Sequence, residues 1–348
     1  MPISEKINLY DLSRTALVSL LNEWGFSAYH ADQLWAGLYR QRQPDFASMM
    51  SLRPELRGRL QDRALLFRPS VKAWQASTDG QTRKYLLSLA DGEAVETVLM
   101  QYPGRATVCV STQVGCAMGC VFCATGQMGY VRNLSPGEIV AQILHVEEEA
   151  GNRGKEVRNI VFMGMGEPLH NYAATMAAID ILTDDKGLAI GPRYITVSTV
   201  GLPGAIRRLA DEQRPINLAV SLHAATDAQR TALVPINRRW GLDELIQACR
   251  YYISKRQRRI FFEWALIAGQ NDSREQAHAV GQLLQGLDAH VNLIPLNPTA
   301  GFAAEATETH NARRFQDTLA EYGLPSTIRQ RRGIDIQAGC GQLRINGN

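Results

Sequence analysis

Long apolar runs are missing from this chain. No stretch approaches the ~20 uninterrupted apolar residues a membrane helix needs, so membrane-spanning classes are set aside. The opening residues, MPISEKINLYDLSR, lack a basic segment followed by an apolar one, and no secretory signal is expected. A large excess of either charge is also missing: 37 Lys and Arg against 34 Asp and Glu leave a formal +3, which permits an anionic partner without demanding one. Nor is there a second C-x2-C pair, or a C-x2-C followed by H-x3-5-H, of the kind structural zinc sites use. With 45% hydrophobic and 20% charged residues, wholesale disorder is excluded. Six cysteines without a secretory signal point to metal or redox chemistry rather than a disulfide framework, and a soluble cytoplasmic protein is expected.

What is present is concentrated in residues 111–130, STQVGCAMGCVFCATGQMGY. Cys116, Cys120 and Cys123 stand there in the spacing C-x3-C-x2-C. Thiolates are costly to bury without a metal, so three in one loop make poor packing. Iron–sulfur clusters are held by cysteine thiolates, normally four, and three ligands leave one iron open. A zinc site or three packing cysteines are the alternatives; the nearest downstream histidine, His145, lies within a helical pattern.

Residues 1–65 read as a small helical domain, with Leu12, Leu17, Leu20 and Leu21, then Ala31, Leu34, Leu38 and Tyr39, at helical spacing. Pro44 and Pro54 interrupt it, and Arg40, Arg42, Arg53, Arg57, Arg59 and Arg63 make its later part basic: a solvated face or an RNA contact. Residues 66–101 read as a short antiparallel linker with strands at Lys84–Leu89 and Ala94–Gln101. A core of 102–335 follows, with strands expected at Thr107–Thr112, Asn159–Met165, Tyr194–Val200, Asn217–Leu222, Ile260–Leu266 and Val291–Pro295, and a seventh at Ser326–Gln330. Helices lie between them, one opened by a capping box of Ser135 and Glu138 and another by Ser273 and Gln276. Residues 336–348 form a polar tail. The class is α/β, and the alternation suits an incomplete (β/α)6 barrel better than an open doubly wound sheet. Either way the ligand site belongs at the carboxyl ends of the strands, where the cysteine loop lies.

Those ends carry polar groups: Gly164-Met165-Gly166-Glu167-Pro168, Val197-Ser198-Thr199-Val200-Gly201, Ser221-Leu222-His223-Ala224 and Ile294-Pro295-Leu296-Asn297-Pro298. Glycines allow a ligand close to the backbone, and a neighbouring carboxylate can take an amine. Cys340, between Gly339 and Gly341, is in an approachable setting for a nucleophile. Cys109 within Val-Cys-Val is either a small core residue or a reactive thiol, and Glu96 either an outward carboxylate or a base. Cys249 continues a helical apolar face and belongs to the core.

The motifs CAMGCVFC, GMGEPLHN, TVSTVG, NLAVSLHA, PINRRW, VNLIPLNP and GIDIQAGCGQL together resemble the RlmN/Cfr family of radical S-adenosylmethionine RNA adenosine methyltransferases. The resemblance implies a radical-SAM barrel with one 4Fe–4S cluster on Cys116, Cys120 and Cys123. It implies S-adenosylmethionine bound by Gly166, Glu167, Ser198, Ser221, Leu222, His223 and Asn297, two molecules per turnover. One would methylate Cys340; the other would be cleaved to a radical that takes hydrogen from that methyl group. The carbon would then add to adenine, and Cys109 would resolve the RNA adduct through a disulfide with Cys340, with Glu96 as the base. Leu169 after GEP is closer to the carbon-2 branch than the carbon-8 branch. The implied partners are 23S ribosomal RNA, transfer RNA as a second substrate, and an electron donor such as flavodoxin, with no membrane and a monomeric chain. Lys255, Arg256, Arg258 and Arg259, and Arg329, Arg331 and Arg332, are basic clusters suited to phosphate. The rival outcomes are carbon-8 methylation, another radical reaction not on RNA, or a metal-stabilised RNA-binding protein.

Overall fold

The computed structural model describes residues 6–151, 154 and 156–344, so the first five residues and the last four of the tail lie outside the described residues. In the amino-terminal part, β1 (Ile7–Asn8), α1 (Arg14–Glu23), α2 (Ala28–Tyr39), α3 (Pro54–Arg63) and β2 (Ala64–Leu65) form a small unit, with β1 and β2 paired in parallel. Ser13 caps α1 by accepting from the Ala16 amide. Pro54 sits in the first turn of α3, where its missing N–H costs nothing, so it opens a helix as well as ending the preceding pattern. Leu17, Leu21, Leu34, Trp35 and Leu38 are fully buried.

Four strands follow as an antiparallel meander: β3 (Ser70–Ala76), β4 (Thr82–Ser88), β5 (Ala94–Tyr102) and β6 (Arg105–Cys109). The first was not anticipated. All seven residues of β3 are exposed, so burial imposes no alternation on its sequence. The short strands β7 (Gln113–Gly115) and β8 (Tyr130–Asn133) pair separately, with α4 (Ala124–Met128) between them.

The chain then alternates through α5 (Pro136–Gly151), β9 (Val157–Phe162), α6 (Tyr172–Thr183), β10 (Ile195–Thr199), α7 (Pro203–Asp211), β11 (Asn217–Ser221), α8 (Asp227–Leu233), α9 (Leu242–Arg256), β12 (Ile260–Leu266), α10 (Arg274–Leu284), β13 (Ala289–Pro295), α11 (Thr309–Glu321) and β14 (Ser326–Ile328). Strands β6, β9, β10, β11, β12, β13 and β14 lie side by side in that order, every pair parallel. The order never reverses, as a doubly wound sheet would require, so the sheet is an incomplete barrel. The expected six strands are present and β14 supplies a seventh. Ile160, Phe162, Val197, Leu218, Val220, Phe262, Trp264, Val291 and Leu293 are buried, the apolar content of strands covered on both faces.

Local signals fix the helices. Ser135 Oγ accepts from the Glu138 amide at 3.1 Å while the Glu138 carboxylate accepts from the Ser135 amide at 2.9 Å, a complete capping box. The amino-terminal unit docks on the outer helices rather than at the site. Asp11 accepts from the Gly137 amide at 2.7 Å, and Asp184 accepts from Trp35 Nε1 at 3.1 Å and Arg14 Nε at 2.9 Å.

Beyond β14 the chain crosses the opening between the β13–β14 edge and the antiparallel strands. Arg332 donates to Gln81 Oε1 at 2.7 Å and stacks on Tyr102, and Asp335 accepts from the Thr78 amide at 2.7 Å. Lys84 Nζ donates to the Gln337 carbonyl at 3.2 Å. The tail is thus the seam of the open barrel.

Candidate active site

The cysteine loop is tight because two glycines permit it. A side chain at Gly126 would put its Cβ 2.8 Å from the Cys120 carbonyl oxygen. Gly166, at φ +97°, would place one 2.5 Å from Gln113 Cβ. Gly164 and Gly166, expected to admit a ligand, are therefore also demanded by packing, Gly164 against the Val110 backbone and Gly166 against Gln113. Cys116, Cys120 and Cys123 open onto one cavity at the carboxyl ends of the parallel strands. Among the described residues, no three His, Cys, Asp or Glu side chains are drawn together around a single ion. Burial raises all three thiols, Cys116 to about 12, and backbone amides of Met118, Thr125 and Gly126 act the other way by bonding to Cys116 or Cys123. Three sulfurs, two of them with amide donors, and no fourth protein ligand among the described residues suit a cluster with one open iron.

The same cavity is lined by Gly166, Glu167, Ser198, Ser221, His223, Asn297 and Cys340. Glu167 is 2% exposed; its carboxylate accepts from the Leu169 amide at 3.0 Å and the Val200 amide at 2.9 Å, joining the ends of β9 and β10. Burial nevertheless lifts its pKa to about 7, so an approaching ammonium group would be strongly favoured. His223 holds a left-handed backbone at φ +60°, and its Nδ1 accepts from the Ala265 amide at 3.0 Å. Burial, then Arg230, lowers its pKa to about 3, which keeps it neutral with Nε2–H as donor. Asn297 donates to the Cys340 carbonyl at 3.0 Å, while its own Oδ1 is buried without a partner. An orphaned acceptor in a polar cavity fits a bound cofactor bearing donors.

Cys340 is exposed, but the surface it exposes faces this cavity, and burial of its thiol, then the nearby Glu263 carboxylate, raises its pKa. It is approachable by position rather than by looseness: before it the Gly339 amide donates to Gln342 Oε1 at 3.0 Å, and hydrogen bonds also hold the residues after it. Ala124 donates to the Gly341 carbonyl at 2.7 Å and Thr125 Oγ1 to the Leu343 carbonyl at 2.6 Å.

Three expected residues do not line the cavity. Leu222 is fully buried in the apolar core and contributes only backbone, its amide bonding Glu263 O at 3.0 Å and its carbonyl accepting from Arg230 Nε at 3.1 Å. Cys109 ends β6 behind the cavity wall, buried, its thiol raised first by burial and then by nearby Cys340. Glu96 is 5% exposed rather than outward-facing. Its Oε1 pairs with Lys84 Nζ at 2.9 Å and its Oε2 accepts from the Arg344 amide at 2.8 Å, yet burial still raises its pKa. Lys84 was not singled out from sequence, and neither was Arg230, fully buried in α8. Charged residues in amphipathic or exposed-looking patterns give no sign of burial.

The basic cluster Lys255–Arg259 precedes β12 and so lies at the opposite rim from the cysteines. There Arg259 pairs with Asp288 at 2.7 Å, and Arg258 donates to Asn217 at 2.8 Å. It braces the barrel floor. No helix among the described residues is long and apolar enough to cross a membrane.

Comparison with known proteins gives a consistent picture. The profile of the Radical SAM superfamily matches residues 110–279, and that of the ribosomal RNA large subunit methyltransferase N-terminal domain matches residues 7–66. Among curated proteins, the dual-specificity RNA methyltransferase RlmN 1 of Myxococcus xanthus is 61% identical, covering 99% of this chain and 96% of that one. A probable dual-specificity RNA methyltransferase RlmN 2 of Opitutus terrae is 51% identical over 98% of this chain and 88% of its own. A crystal structure of a radical SAM methyltransferase from Sphaerobacter thermophilus superposes with a TM-score of 0.94 at 47% identity, covering 97% of this chain and 99% of that chain.

Proposed function

Because the chain belongs to the RlmN family of radical S-adenosylmethionine RNA methyltransferases, we propose that it methylates carbon 2 of adenosine in 23S ribosomal RNA and in transfer RNA. The observation that carries this reading is the shared cavity, which Cys340 lines together with the three loop cysteines and with Glu167, Ser198, Ser221, His223 and Asn297.

Cys116, Cys120 and Cys123 would hold the 4Fe–4S cluster that the family implies. When bound, it supplies the one-electron cleavage of S-adenosylmethionine that an unreactive aromatic carbon requires. Glu167 would receive the cofactor's ammonium group, His223 would donate from Nε2, and Asn297 Oδ1 would accept. Cys340 would accept a methyl group and then carry that carbon onto the adenine ring, S-adenosylmethionine supplying both the methyl group and the radical that takes a hydrogen atom from it. Once freed from Lys84, Glu96 would take up the ring proton as the radical adduct gives up one electron, returned to the cluster, so that the ring regains its aromatic closed shell. Cys109 then attacks the Cys340 sulfur; the sulfur–carbon bond breaks, the carbon takes a proton as the new methyl group, and a disulfide remains for reduction. The amino-terminal unit of residues 1–65 contributes RNA contacts, and 336–348 is the methyl-carrying tail. An adenine must leave its stack to reach this cavity. A flavodoxin-type donor, a cytoplasmic setting and a monomer complete the reading.

Mass spectrometry of the tail peptide from anaerobically purified protein tests it. The expected result is a Cys340 heavier by one methyl group, and a covalent RNA adduct that accumulates in Cys109→Ala. An unmodified Cys340 in protein that cleaves S-adenosylmethionine would sink the reading.

A further inference from the structure

Arg230 is a fully buried arginine whose four bonds all go to neutral oxygens. Nε donates to the Leu222 carbonyl and Nη2 to the Ser221 carbonyl, each at 3.1 Å; Nη2 also reaches the Val200 carbonyl, and Nη1 donates to Asn237 Oδ1 at 2.8 Å. Among the described residues no carboxylate pairs with it directly; Asp227 meets it only through Asn237, which donates to Asp227 Oδ1 at 2.8 Å. A buried cation without a counter-anion is destabilising by several kcal/mol, roughly, even after relaxation. Burial pulls its pKa down to about 10, still well above neutrality.

Two facts of position give that charge a purpose. The three carbonyls it gathers close the ends of β10 and β11, the strands that carry Ser198, Ser221 and His223 into the cavity. The helix that bears it also touches the cysteine loop, where the Val121 amide donates to the Leu233 carbonyl at 3.1 Å. We propose that Arg230 is a positioning residue with an electrostatic duty: it clamps the ends of β10 and β11 beneath the cofactor, and its charge balances the thiolate-bound cluster. The inference rests on Cys116, Cys120 and Cys123 holding that cluster.

The test compares anaerobically reconstituted wild type, Arg230→Lys and Arg230→Met by iron content, S-adenosylmethionine binding, and a reductive titration followed by electron paramagnetic resonance. Removing a nearby positive charge disfavours the more negative, reduced cluster, so Arg230→Met should have a lower midpoint potential than wild type. Arg230→Lys keeps the charge and loses bonds; its midpoint should match wild type while S-adenosylmethionine binding weakens on the order of tenfold, the worth of one or two hydrogen bonds. An unchanged midpoint in Arg230→Met overturns the electrostatic role, and unchanged binding in Arg230→Lys overturns the clamp. If Arg230→Met does not fold, a shifted midpoint in Arg230→Lys overturns the electrostatic role alone. A wild type that retains no iron removes the cluster reading and this proposal with it, a failure distinct from the others.

Discussion

Residues 116–129 close on themselves at three points, the Cys123 amide on Cys120 O at 3.2 Å, the Gln127 amide on Cys123 O at 3.0 Å and the Cys116 amide on Gly129 O at 2.7 Å, while Val121, Ala124 and Thr125 bond Leu233, Gly341 and Leu343. Residues 335–344 also make local turn bonds, Ala338 N to Gly333 O at 2.7 Å among them, but distant groups place them: Thr78, Lys84, Glu96, Thr125 and Asn297. One half of the cavity thus draws its three cysteines from a short stretch of sequence. The other exists only after the sheet has formed, and it depends on a buried ion pair between strands β4 and β5. The two halves should fail separately.

The largest separation is between Cys120→Ala and Cys340→Ser. The first should abolish iron retention and product while leaving hydrogen exchange of residues 335–344 unchanged; the second should abolish modified adenosine with iron content intact. Loss of iron in Cys340→Ser would break the comparison. Next, Lys84→Met leaves Glu96 buried without its partner, a change costing about 3–5 kcal/mol where the carboxylate stays charged and less where it takes up a proton. Urea unfolding should register the loss, and tail amides should exchange faster while the cluster spectrum holds. Thr125→Val removes the donor to Leu343 O and should cost about 1–3 kcal/mol, read as a weaker tail and slower methylation with unchanged iron.

A pH effect is smaller and belongs to the cofactor side. The folded pKa of Glu167 lies above the unfolded value of 4.5, near 7, so its contribution is fully present below about 4.5 and fades as pH rises through about 7. Melting temperatures of cofactor-free protein should carry that slope, and Glu167→Gln should reduce it; an unaltered slope would show the carboxylate is not desolvated. Smallest of all, Lys255→Gln at the far rim should change methylation less than twofold in assays at physiological salt, since the cluster there braces strands rather than facing the cavity.

Much of this was legible because it was local. The capping box at Ser135, the Ser273 cap (whose Gln276 carboxamide does not return the bond), the cysteine spacing and the polar strand ends all sit within a few residues of their partners. Lys84 and Arg230 were not, since nothing near them in sequence distinguishes a buried cation from a solvated one. Glu96 and Cys109 stood between two readings for the same reason: what decides them is a tail more than two hundred residues away. Strand β3 escaped because neither of its faces is covered.

That uncovered strand leaves an open row of amide and carbonyl groups at one margin of a ten-stranded sheet, with Trp74 56% exposed beside it. Its register breaks between Val71 and Ala73, so Lys72 is the unpaired extra residue of a bulge. A kink bearing a cation makes poor company for a second copy of the same strand. The enzyme's solubility at high concentration would then hinge on one lysine far from any chemistry, a place where stability and activity assays alike would find nothing to measure.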